Sequence, residues 1–76
     1  MRDIRRQQQN VNARIDTLTA REREVMDRLS EGQSTKVIAS RLGISTKTVD
    51  NHRAKVLEKM IVDNVAQLAN LCALIS

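Results

Sequence analysis

The sequence predicts an all-α fold: four short helices in tight succession, preceded by a segment with a helical apolar stripe of its own. Three observations carry that expectation. The 76 residues contain no proline and only two glycines, so little interrupts a helical run. Apolar residues recur at spacings of one, three, four and seven, the signature of a helix with one buried face. Each apolar stretch opens on a Ser, Thr, Asp or Asn that can accept hydrogen bonds from the free amides of a helix start.

The elements follow in order. Thr19-Ala-Arg-Glu22 has the form of a capping box, in which the Thr hydroxyl and the Glu carboxylate each take a free amide. Val25, Met26 and Leu29 then share one face, so a first helix is predicted over about 20–31, stopped by Gly32. Ser34 caps a second helix in which Val37, Ile38 and Leu42 are expected to face inward before Gly43. Ser45 caps a third, about 45–60, with Val49, Val56, Leu57 and Met60 as its apolar stripe. Asp63 or Asn64 starts a fourth, over 64–75, where Val65, Leu68, Leu71, Cys72 and Ile75 make a broad apolar face. Ahead of these helices, Ile4, Val11, Ile15 and Leu18 fall at spacings that suit an amphipathic helix or a short coiled-coil seam. A frayed tail is the alternative.

Composition narrows the function. Hydrophobic residues make up 41% and charged residues 29%, a globular balance. The absence of Phe, Tyr and Trp weakens any reading that stacks bases on aromatic rings, as single-strand and RNA platforms do. One cysteine closes no internal disulfide, and no apolar run approaches the roughly twenty residues of a membrane span, so a cytoplasmic protein without membrane contact is expected. One His, one Cys, no Gly-rich phosphate loop and no cluster of metal ligands argue against an enzyme, a cofactor or a metal site. The net charge is +4, and its placement is uneven: residues 34–60 alone carry a net +4, against +2 over 1–18 and −1 over each of 19–33 and 61–76. That central surplus suits a polyanionic partner. A solvated basic face is the alternative that charge alone leaves open.

The informative stretch is STKVIASRLGISTKTVDNHRAK, residues 34–55. A short helix, a turn at Leu42-Gly43-Ile44 and a second helix capped by Ser45 form a helix-turn-helix, whose second helix enters the DNA major groove by its N-terminal part. Ser45, Thr46, Lys47 and Thr48 crowd the helix start, where free amides and the positive end of the dipole favour phosphate oxygens. Lys47, Asp50, Asn51, Ala54, Lys55 and Glu58 face away from the Val49/Val56 stripe. Asn can pair with adenine, Asp can accept from cytosine, Lys or Arg can bind guanine or phosphate, and Ala can touch a thymine methyl. Thr35 and Lys36, on the preceding helix, would lie across the backbone.

Leu18-Thr-Ala-Arg-Glu-Arg-Glu-Val25, Gly32-Gln-Ser-Thr-Lys-Val-Ile-Ala39 and Leu42-Gly-Ile-Ser-Thr-Lys-Thr-Val-Asp-Asn-His-Arg53 together resemble the LuxR-type DNA-binding domain. The likeness covers about residues 17–76 and is nearest to the effector domains of FixJ/NarL-type two-component response regulators. The Gln- and Arg-rich lead-in resembles their helical linker, so the resemblance implies a linker over 1–16 and one DNA-binding domain over 17–76. This resemblance implies a four-helix LuxR-type domain that binds double-stranded operator or promoter DNA, with the third helix in the major groove. It also implies a homodimer on two-fold DNA through the fourth helix, with Val65, Leu68, Ala69, Leu71 and Cys72 as candidate contacts. By position, Asp50, Asn51 and Ala54 would face bases, while Thr46, Lys47, Thr48, Arg53, Lys55 and Lys59 would meet the backbone. Many relatives carry Lys or another polar residue at Asp50 and Ala54. An acid at position 50 would repel phosphate, so Asp50 is expected to select a base or to organise Lys47 and Arg53.

Seventy-six residues do not accommodate a receiver domain as well, so a fragment of a longer regulator is expected, with a receiver domain and RNA polymerase as further partners; a stand-alone protein of the same fold is the alternative. His52 is read as a side chain packed or hydrogen-bonded between helices, with a pH switch as the alternative. Cys72 is read as a small hydrophobe. Two rival functions remain: a sigma-factor-like promoter-binding region and a helical protein–protein interaction module.

Overall fold

The computed structural model of the chain describes residues 11–74, and helices follow one another throughout, with no strand among the described residues. Here α1 covers residues 11–16, α2 Ala20–Ser30, α3 Thr35–Leu42, α4 Thr46–Met60 and α5 Val65–Ala73. Ile4 and Ile75, two of the apolar positions in the sequence pattern, lie outside the described residues.

Four helix starts are fixed by short side chains. The Thr19 hydroxyl accepts from the Glu22 amide at 3.1 Å and the Glu22 carboxylate from the Thr19 amide at 3.0 Å, which completes the capping box of α2. Ser34 takes the Val37 amide, Ser45 the Thr48 amide and Asn64 the Gln67 amide, so Asn64 rather than Asp63 caps α5. Gly32 and Gly43 end α2 and α3 in the left-handed region, at φ 88° and 68°. The next amide in each case reaches back five residues, Gln33 to the Arg28 carbonyl and Ile44 to that of Ala39. The same closure ends α4, where Val62 donates to the Leu57 carbonyl, but the left-handed residue there is Ile61, at φ 58°. A β-branched residue in that conformation is strained by about 1–2 kcal/mol, and no sequence signal marks it.

The core is aliphatic throughout. Val25, Met26 and Leu29 of α2, Ile38 and Ala39 of α3, Val49, Val56 and Met60 of α4 and Leu68 of α5 are buried together. The longest helix among the described residues, α4, packs on both α2 and α3, and α5 closes the far side against α2. Val37 is not among the core residues. It is exposed, and Ala39 takes the inward place expected for it, because the buried face of α3 is centred on Ile38, Ala39 and Leu42. Val11 and Ile15, at 1% and 5% exposure, belong to this core as fully as any residue of the helix-turn-helix.

Candidate nucleic-acid interface

The surface that the sequence assigns to DNA is built on the first turns of α4. Lys47, Asn51, Ala54 and Glu58 follow at spacings of four, three and four. They form one line on the side opposite Val49, Val56 and Met60, and all four are exposed. Asp50 and Lys55 flank the line and are exposed as well. At its head, the Ser45 hydroxyl caps the Thr48 amide at 3.1 Å and lies 2.8 Å from the Thr48 hydroxyl. The Thr46 and Lys47 amides precede the first intrahelical bond, that of Val49 to the Ser45 carbonyl, and so remain available to an anion. Thr35 and Lys36 stand in the first turn of α3, with Lys36 exposed and Thr35 half-buried.

Charge on this surface is largely uncommitted. Lys36, Lys47 and Lys55 make no ion pair among the described residues. Arg53 is half-buried, and its Nε lies 3.9 Å from the Asp50 carboxylate. An exposed pair of this kind contributes at most about 1 kcal/mol. Asp50 thus lies beside Arg53 while staying exposed on the outer face of α4.

Two expected site residues are placed differently. Leu68 is expected at a dimer interface but is 0% exposed in the domain's own core. It is therefore withdrawn from the candidate interface. Val65, Leu71 and Cys72 also pack against that core, and Ala69 is half-buried. The outward side of α5 is instead Ala66, Gln67, Asn70, Ala73 and Leu74. Ile61, 71% exposed, and Val62 stand across an open groove from Leu71 and Leu74.

Lys59 is the second. Its ammonium lies 2.7 Å from the Glu22 carboxylate and donates to the Thr17 carbonyl at 3.3 Å. Glu22 is 6% exposed. The hydrogen bond from Lys59, then that from the Thr19 amide, hold its carboxyl below the ordinary carboxylate range despite burial. Nearby, Arg14 donates to the Met60 carbonyl at 3.2 Å. Sequence reading misses both long-range contacts. The capping-box motif accounts for only one of the two bonds the Glu22 carboxylate accepts, and positions 22 and 59 carry no mark that pairs them.

His52 is half-buried on α4. Cys72 accepts from the Ser30 hydroxyl at 3.4 Å between α5 and α2. Among the described residues there is no group of His, Cys, Asp and Glu that could hold a metal ion, and no helix long and apolar enough to cross a membrane.

Known proteins are similar to this chain in sequence and in fold. Residues 16–72 match the GerE model, described as bacterial regulatory proteins, luxR family. Over 57 residues the chain is 51% identical to the transcriptional regulatory protein UhpA of Salmonella typhimurium, covering 75% of this chain and 29% of UhpA. Over 63 residues it is 40% identical to the transcriptional regulatory protein FixJ of Bradyrhizobium diazoefficiens, covering 83% of this chain and 31% of FixJ. The crystal structure of full-length FixJ from B. japonicum superposes with a TM-score of 0.86 at 35% identity, over 95% of this chain and 36% of that one. The chain thus spans about three-tenths of the length of these curated relatives, which are named as transcriptional regulatory proteins. A family model over three-quarters of the sequence, a helix-turn-helix with the expected caps and a FixJ-like fold converge on one assignment: the chain belongs to the luxR family of bacterial regulatory proteins, as a LuxR-type helix-turn-helix domain.

Proposed function

We propose that the chain is the DNA-binding effector module of a cytoplasmic transcriptional response regulator. The N-terminal half of α4 lies in the major groove, and Thr35 and Lys36 of α3 lie across the adjacent backbone. The observation that carries this reading is the exposed line of Lys47, Asn51 and Ala54, flanked by Asp50, directly below a capped helix start. Asn51, Asp50 and Ala54 are the base readers. Ser45, Thr46, Lys47, Thr48, Arg53 and Lys55 meet phosphates, aided by the open Thr46 and Lys47 amides. A receiver domain elsewhere in the regulator controls the module, and RNA polymerase is its partner at the promoter.

On a two-fold operator the module pairs with a second copy through the outer side of α5. Ala66, Gln67, Asn70, Ala73 and Leu74 face the second copy, with the half-buried Ala69 and the edge of Leu71 at the margin of the contact. Helix-turn-helix dimers read half-sites about one helical turn apart, so the operator should repeat at that interval.

An amide chemical-shift titration with a mixed-sequence duplex tests the reading, first at low salt and then at higher salt. Shifts centred on residues 35–36 and 45–55 that fade as salt rises are expected, because phosphate contacts release counterions. Silence in those residues at low salt would overturn the DNA reading and favour the protein-interaction module.

A further inference from the structure

Lys59 differs from the other cations of α4 in where it sits and in what it touches. It lies twelve residues beyond Lys47, about 18 Å further along the axis at 1.5 Å per residue. Lys47 and Lys55 are exposed and make no ion pair among the described residues. Lys59 is bound to Glu22 at 2.7 Å and to the Thr17 carbonyl at 3.3 Å, with its side chain 31% exposed. The oxygen of Glu22 that takes the ammonium also takes the Thr19 amide, so one carboxylate fastens both the start of α2 and the end of α4. One residue on, the Met60 carbonyl receives Arg14 from α1, and the Met60 side chain is in the core. Were Lys59 to swing out to a phosphate, Glu22 would stay behind as a buried carboxylate without its cation. That bare buried charge costs more than one exposed phosphate interaction can offset.

We propose that Lys59 is a positioning residue of the recognition helix and not a phosphate ligand: clasped between Glu22 and the Thr17 carbonyl, it fixes the last turn of α4 against the α1–α2 corner and so sets the angle at which the first turn is presented. The inference rests on the DNA-binding reading above. It concerns a pair 37 residues apart in sequence, in which one partner, Glu22, lies outside the helix-turn-helix.

The test is duplex affinity of the whole chain by fluorescence anisotropy across a salt series, for the parent and for Lys47→Gln, Lys59→Gln and Glu22→Gln. Each variant is measured below its own melting midpoint, with folding checked by circular dichroism. Loss of one phosphate contact should flatten the slope of log affinity against log salt by about 0.9. Lys47→Gln should show that loss. Lys59→Gln should keep the parent slope while binding weakens by a common factor of about 3- to 10-fold at every salt.

Glu22→Gln is the decisive variant, because it makes the protein more positive. If long-range charge alone mattered, it would tighten binding; as one half of a clasp, it should weaken binding to the level of Lys59→Gln, and the double variant should be no worse than either single. A slope lowered by about one in Lys59→Gln, with Glu22→Gln binding as tightly as the parent or tighter, would make Lys59 a phosphate ligand and overturn the proposal. Absence of duplex binding by the parent, or an unchanged slope in Lys47→Gln, would strike instead at the DNA-binding reading on which the proposal stands.

Discussion

Replacing Leu68 by Ala separates two accounts of α5, since an interface residue and a core residue lose different things. Leu68 is fully buried in the domain's own core, on the helix that closes the far side of α2. The substitution removes three carbons, about 2.4 kcal/mol of transfer free energy at about 0.8 kcal/mol each. Incomplete collapse of the surroundings adds to this, which brings the expected loss to about 3–4 kcal/mol, within the range for buried leucines. A domain this small has a total stability of roughly 4–10 kcal/mol. With no aromatic ring in the chain, no larger side chain is at hand to compensate. At about 4–8 °C per kcal/mol for a domain of this size, the melting midpoint should fall by roughly 12–32 °C.

The assay is a far-UV circular dichroism melt of parent, Leu68→Ala and Leu68→Met at two protein concentrations about ten-fold apart. Leu68→Met, which nearly conserves volume, should cost under about 1.5 kcal/mol. The Ala variant should melt early by the same amount at both concentrations. A midpoint within a few degrees of the parent, together with a sedimentation shift toward monomer, would refute the core assignment and return Leu68 to a dimer interface.

Three further outcomes follow from the same structure. Glu22 has a lowered carboxyl pKa in the folded state, so the stability it contributes is present above its ordinary value near 4.5 and is lost as pH falls through the lower folded value. The gap in urea midpoint between parent and Glu22→Gln should therefore close on acidification, and a gap that stays constant with pH would contradict the ion pair with Lys59. Ile61→Gly should raise stability by about 1 kcal/mol, because relief of left-handed strain at φ 58° exceeds the added flexibility of glycine, and the side chain is mostly exposed; a lower urea midpoint would show that the Ile61 side chain contributes more than its strain removes. Asn51→Ala should weaken binding to the preferred duplex by about 1–3 kcal/mol and relax selection at one base position; equal losses on specific and random duplexes would remove Asn51 from the base readers.

Much of the fold is written locally, and those parts read correctly from the sequence. An N-cap needs one hydroxyl or amide and an amide three residues on, so Thr19, Ser34 and Ser45 announce their helices without tertiary help, and Asp63-Asn64 narrows the fourth start to two residues. Gly32 and Gly43 announce their stops for the same reason. What depends on packing does not read this way. The end of α4 is imposed on Ile61 although nothing in its chemistry favours the left-handed region. In α3, eight residues give barely two turns, too few to set the phase of the buried face, so Val37, expected inward, is exposed and Ala39 is buried. An apolar stripe says that Leu68 is buried and not against what. The outward line of α4 is legible because its polar residues repeat at helical spacing; the clasp of Lys59 is not, because its partners lie in distant segments.

That clasp gives α4 two unlike ends. At the C-terminal end Met60 is in the core, its carbonyl is held by Arg14, and Lys59 is held by Glu22 and Thr17. At the N-terminal end Ser45, Thr46 and Lys47 are exposed. The 15 residues of the helix set the two ends about 22 Å apart. A tilt of about 5° about the fastened end would carry the first turn through about 2 Å, several times the range over which a hydrogen bond to a base edge keeps its strength. On the DNA-binding reading, the discrimination available to Asn51 and Asp50 is therefore set partly by residues that never approach a base. Arg14 and Thr17, in and just after α1, are among them, so a displacement of α1 would reach the recognition surface through the seat of α4 without altering any residue on that surface.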